Sequence, residues 1–147
     1  MPRAGRGVRL ESALQAHTCK PIETAADELF TINHPNDGQI YMEAYDLCVE
    51  ADGMHKGSAL LLKACSETRS QLFIFAGNSI RLSNDRQDDL CLAVAPGEGL
   101  PTGTPSHLRR ALSLESCRSI GATLTGWTPI LKYTRYCYEY DGSNNTK

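Results

Sequence analysis

Several kinds of site are missing from this 147-residue sequence. It holds no C-x-x-C pair, no H-E-x-x-H, no G-x-S-x-G and no phosphate-cradling glycine loop. Those are the spacings that zinc sites, thioredoxin-type redox centres, metalloproteases, serine hydrolases and nucleotide hydrolases require. The four histidines, His17, His34, His55 and His107, fall far apart with no paired ligand spacing. No enzyme, metal or cofactor is therefore expected. Positive charge is not in excess either: the formal net charge is −2, which gives no basic field for phosphate and argues against nucleic acid or an anionic membrane surface as partner. No apolar run nears the length of a membrane span, so membrane insertion is not expected. The opening MPRAGRGVRLESALQ is basic but lacks the apolar stretch of a signal peptide.

What is present begins with six cysteines, at 19, 48, 65, 91, 117 and 137, an even number scattered singly through one domain's length of chain. Scattered cysteines favour a disulfide framework made in an oxidising compartment, so the protein is expected to be secreted or extracellular with its export signal already removed. The alternative is six buried free thiols.

The cysteines also mark a repeat, which decides the fold before local structure does. SALQAHTC at 12–19, SALLLKAC at 58–65 and RALSLESC at 110–117 carry Ala and Leu at the same offsets before the final Cys. A second series runs LCVEADG at 47–53, LCLAVAPGEG at 90–99 and YCYEYDG at 136–142. A third is ELFTI at 28–32, QLFIF at 71–75 and, more distantly, TGWTPI at 125–130. Glu28 precedes Cys48 by 20 residues, and Gln71 precedes Cys91 by the same 20.

Each unit consists of short alternating or β-branched runs separated by polar turns such as HPNDG (34–38) and SNDRQDD (83–89). No sustained 3.6-residue apolar period interrupts them, so the chain reads as all-β. A threefold array of about four short strands per unit is satisfied by a barrel capped by three hairpins, which leaves little free edge.

These motifs, C-[LV]-x-[AV], A-L-x-[LA]-x-x-C and [QE]-L-F, resemble the repeat of the ricin B-type (R-type) β-trefoil lectins. The likeness covers about residues 8–142, and the cysteine spacing is also similar to the cysteine-rich lectin domain of the mannose receptor family. The resemblance implies a single disulfide-bonded β-trefoil domain over 1–147, with Phe30, Phe73 and Trp127 in its core. Its pseudo-repeats cover roughly 8–47, 48–90 and 91–136, with 137–142 completing the first. It further implies the disulfides Cys48–Cys65, Cys91–Cys117 and, across the termini, Cys19–Cys137.

By the same resemblance the function is carbohydrate binding, with galactose/GalNAc-type or acidic and sulfated glycans on cell surfaces or glycoproteins as partners. Avidity would come from a homodimer or a companion domain. An R-type pocket needs a carboxylate for vicinal hydroxyls, a ring for the sugar's C–H face and an amide. Family positions give Glu139, Gln15 and His17 to the unit closed across the termini. The unit at 48–75 receives Glu50, Leu61 and Lys63, with Ser70 and Gln71 where a second amide is expected. Having no ring, this second unit would grip an acidic sugar through Lys63. The unit from Cys91 has Ala93 in place of the acid, ahead of Ser113 and Glu115, and reads as silent.

Other readings of the same residues stay open. Glu139 and Glu50 can be ordinary solvated strand residues, and the chain can be a fragment whose CYEYDG opens a further module. A protein-binding trefoil, a protease inhibitor or receptor ligand, would act through the irregular loop APGEGLPTGTPSHLRR at 95–110. Asn144-Asn145-Thr146 matches an N-glycosylation sequon.

Overall fold

The computed structural model describes residues 3–4, 8–9, 13–17, 29–83, 89–96, 99–102, 104–118, 125–132 and 135–140. A short antiparallel hairpin, β1 (Arg3–Ala4) and β2 (Val8–Arg9), precedes β3 (Gln15–His17). Next come β4 (Thr31–Ile32), β5 (Ile40–Met42), β6 (Leu47–Ala51) and β7 (Leu60–Lys63), which form one antiparallel sheet in chain order. Alternation explains which way this sheet faces. Ile40, Met42, Val49, Ala51, Leu60 and Leu62 are buried, while the residues between them, Tyr41, Glu50, Leu61 and Lys63, are half-buried or exposed on the outer face.

A 3-10 turn at Arg69–Gln71 leads into the second sheet. Its strands are β8 (Phe73–Ala76), β9 (Ser79–Leu82), β10 (Leu90–Val94), β11 (Leu100–Thr102) and β12 (Thr104–Ser116), ordered β11-β12-β10-β9-β8, with β3 added along β12. Phe73, Ile80, Leu82, Leu92 and Leu114 meet the buried residues of the first sheet in one core. Each such side chain taken fully out of water contributes roughly 1.5–3 kcal/mol, so these alternating positions drive the two sheets together.

The strands β4–β7 and β8, β9, β10, β12 correspond in register. Cys48 lies opposite Lys63 and is bonded to Cys65, two residues further along. Cys91 lies opposite Glu115 and is bonded to Cys117, again two residues further along. The Cα–Cα separations are 4.9 and 5.1 Å. Turns link one meander to the next. The Phe73 amide donates to the Gly38 carbonyl (2.8 Å), and Trp127 repeats this contact with the Asn78 carbonyl (2.7 Å). Gly38 cannot be replaced cheaply, because its φ is +87° and a Cβ there would lie 3.1 Å from the Phe73 oxygen. The β6–β7 turn docks on β12 through Gly57 and Ser58, which exchange backbone bonds with Leu114 (2.7 and 2.9 Å). Leu14 donates to Leu60 (2.7 Å), so the segment ahead of β3 touches the first meander while β3 itself extends the second.

The chain ends in a hairpin of β13 (Trp127–Lys132) and β14 (Arg135–Tyr140). Trp127 opens β13 as Phe73 opens β8, and both are buried, with Phe30 packed against the same core. The correspondence then shortens. Cys91 stands two strands beyond β8, but Cys137 stands in β14, the direct partner of β13, opposite Ile130. Among the described residues the ladders do not close into a barrel.

Residues 95–110, read from sequence as an irregular loop, contain β11 and the first half of β12. Proline punctuation suggested a loop, but Pro101 sits on β11 at the end of the sheet order, where a missing N–H is tolerated. Gly99, at φ +92°, lies just ahead of β11, where the backbones approach closely; a Cβ there would lie 2.8 Å from the Arg109 oxygen.

Candidate functional site

The outer face of the first meander gathers the most polar chemistry among the described residues. Strand alternation turns Glu50 of β6 outward, opposite Leu61 of β7. Cys48, on the same face, has Tyr41 of β5 on one side and Lys63 of β7 on the other. The 3-10 turn then brings Gln71 against β6 from above.

Gln71 is fully buried, and every polar valence of its amide is used. Its Oε1 accepts from the Ser66 backbone N–H (2.9 Å) and from Gln39 Nε2 (2.8 Å). Its Nε2 donates to the Ala64 carbonyl (2.8 Å) and to Glu50 Oε1 (2.9 Å). The backbone groups leave no freedom in this assignment. An N–H can only donate and a C=O only accept, so the amide cannot be flipped and its N–H must face Glu50. Gln39, 1% exposed, is fixed likewise: Nε2 donates to the Ser66 carbonyl (2.9 Å) and to Gln71, while Oε1 accepts from Asn36 Nδ2 (3.0 Å). Both glutamines grip residues 64–66, the segment that carries Cys65, and Gln39 Nε2 also lies 3.7 Å from Cys48 Sγ. Buried amides without these partners would be costly; with them they order the site.

Tyr41 is held from two sides. Its hydroxyl donates to Asp46 Oδ1 (2.8 Å), and the His34 ring meets it edge-on, with centroids 4.7 Å apart at 60°. The hydrogen bond to Asp46, followed by desolvation and by the negative charges of Asp46 and Glu43, raises the Tyr41 pKa above its usual value.

The positions singled out in the sequence separate into groups. Glu50 and Gln71 are in contact, but Gln71 is enclosed, so it holds the carboxylate rather than offering an amide to a ligand. Lys63 is exposed on the neighbouring strand of the same face. Gln15 and His17 lie on β3 opposite Ala111 and Arg109 of β12, whereas Glu139 lies on β14 opposite Thr128 of β13. The described ladders therefore do not place Gln15 and His17 beside Glu139. Cys19, and with it the Cys19–Cys137 bond, falls outside the described residues. In the second meander the counterpart of Glu50 is Ala93, 2% exposed, facing Ser113. The nearby acid, Glu115, accepts a hydrogen bond from the Ser113 hydroxyl (2.7 Å).

Two residues of the site went unread in the sequence. Gln39 directly follows the HPNDG turn and precedes Ile40 and Met42, which puts it at the head of a half-buried strand. Tyr41 is the outward residue of that strand, visible only once the Tyr41–Cys48 register is known. No protein-family model matches the chain, and comparison with curated proteins and with solved structures gives no match.

Proposed function

We propose that this protein is a secreted carbohydrate-binding module of the R-type lectin kind, built on a β-trefoil plan of three pseudo-repeats. One observation carries the reading: a partly exposed carboxylate, Glu50, is clamped by a fully buried amide on the outer face of a disulfide-bonded meander. A carboxylate held by one oxygen is an acceptor for sugar hydroxyls. Half-buried Leu61 beside it offers an apolar surface for C–H groups, and Lys63 and Tyr41 border the same face. The two disulfides suit an oxidising compartment. Further support comes from the matched registers of the two meanders and the paired Phe73–Gly38 and Trp127–Asn78 contacts.

Pockets of the R-type kind are small and open, so affinity for one sugar is expected to be weak and useful binding to depend on avidity. Titration of wild type and E50Q with methyl β-galactoside and with a sulfated galactoside tests this. Saturable binding to either sugar, lost in E50Q, supports the reading, and binding unaffected by E50Q removes Glu50 from it. A protein-binding role has one observation in its favour, the 58% exposed Leu100 on β11. It predicts that Leu100→Ser abolishes partner capture while E50Q does not.

A further inference from the structure

The clamp on Glu50 does not end at Gln71. Asn36 donates to Gln39, Gln39 donates to Gln71, and Gln71 donates to Glu50, through contacts of 3.0, 2.8 and 2.9 Å. Each step has the same polarity, and the backbone sets that polarity. Ser66 N–H fixes Gln71 Oε1 as an acceptor, so whatever meets it from the other side must be a donor. The Ser66 carbonyl fixes Gln39 Nε2 as that donor. The chain therefore delivers an N–H, never a lone pair, to Glu50.

We infer that Gln39 is a positioning residue for the Glu50 site: acting through Gln71, it aims the carboxylate and keeps it an acceptor, although no hydrogen bond joins Gln39 to Glu50. Three features separate this role from filler. Gln39 is 1% exposed, where an apolar residue of equal volume would need no partners. Both protons of its Nε2 are committed, one to Gln71 and one to the Ser66 carbonyl. Its Oε1 is met by Asn36 of the HPNDG turn, so that turn, which also receives the Phe73 amide, is tied to the carboxylate one sheet face away. An amide is the only uncharged side chain that can accept from Asn36 and donate to Gln71 at this length. The ligand-binding part of the inference rests on the carbohydrate reading; the coupling itself does not.

The experiment is a double-mutant cycle between Gln39→Met, which keeps length and removes the donor, and Glu50→Ala. Two readouts are taken: the side-chain NH2 resonances of Gln71, and affinity for methyl β-galactoside. In the otherwise native protein, Q39M should shift the Gln71 NH2 signals and weaken sugar binding by about fivefold to tenfold, the loss expected from one positioning hydrogen bond. In the E50A background, which by the same reading binds no sugar, it should change the Gln71 signals less. Equal shifts in both backgrounds, with sugar affinity untouched, would show packing alone and overturn the inference. If wild type binds no methyl β-galactoside while the Gln71 signals remain non-additive, the coupling stands and the carbohydrate reading fails. Should Q39M not fold, Asn36→Ala, which removes only the exposed first link, carries the same cycle.

Discussion

Replacing Gln71 by leucine removes four hydrogen bonds, to Gln39, Ser66, Ala64 and Glu50, with little change in side-chain volume. The consequences differ by group. Glu50 is partly exposed and can turn to water, and Gln39 keeps the Ser66 carbonyl. The Ser66 N–H and the Ala64 carbonyl cannot follow, because they belong to the backbone beside Cys65, which the disulfide ties to buried Cys48. A hydrogen bond contributes about 0.5–1.5 kcal/mol net, so the four lost here, the one to Gln39 buried and the others part-buried, offset by the more apolar leucine, give an expected loss of about 2–4 kcal/mol. For a chain of this size each kcal/mol lowers Tm by about 2–4 °C, which predicts a fall of roughly 5–15 °C. Guanidinium unfolding of wild type and Q71L, with m-values compared, measures the difference. A Q71L protein within about 0.5 kcal/mol of wild type would refute the reasoning, because that is the range of an ordinary surface change.

Further outcomes follow from the disulfides and from Tyr41. Removing Cys48–Cys65 (separation 17) by paired serine substitution should cost about 3 kcal/mol, and removing Cys91–Cys117 (separation 26) about 3.5 kcal/mol, in the chain-entropy account. Thermal unfolding with and without a thiol reductant checks both; an unchanged Tm under full reduction would count against that account. Tyr41 should ionise above the ordinary tyrosine value because its hydroxyl donates to Asp46. Its folded-state pKa is raised, so the stability it contributes is complete below the unfolded value of 10.0 and is lost as pH rises through the folded value. Absorbance titration at alkaline pH should show this late ionisation in wild type and its return toward the ordinary range in Asp46→Asn. Asparagine suits the left-handed conformation at 46, where φ is 55°. Identical titrations of the two proteins would remove Asp46 as the cause.

The all-β character was legible because short apolar or alternating runs and turn residues coincide: Ile40-Tyr41-Met42 is written with the period of two that its burial shows, whereas Leu60-Leu61-Leu62 alternates only in its burial. The cysteine spacing carried information about register, since Cys65 and Cys117 each follow by two the residue opposite their partner. Less could be read where partner choice depends on distant chain. Nothing in QAH at 15–17 says that β3 lies along β12, because a three-residue strand carries too little pattern to select its neighbour. The burial of Gln71 and Gln39 was hidden for another reason. A glutamine looks alike in a sequence whether it faces water or donates to a carboxylate indoors, and only the backbone of 64–66 reveals which. The hairpin at 100–110 was masked by proline and glycine, which mark turns strongly and edge strands weakly.

The central claim, that the Glu50 face holds sugars, is tested most directly on a glycan array with a tandem fusion of the chain, which supplies the avidity that weak single-site binding needs. Hits above background for the wild-type fusion that disappear in the E50Q fusion are the predicted result. An array with no hits for the wild-type fusion, or with hits that E50Q leaves unchanged, would contradict it.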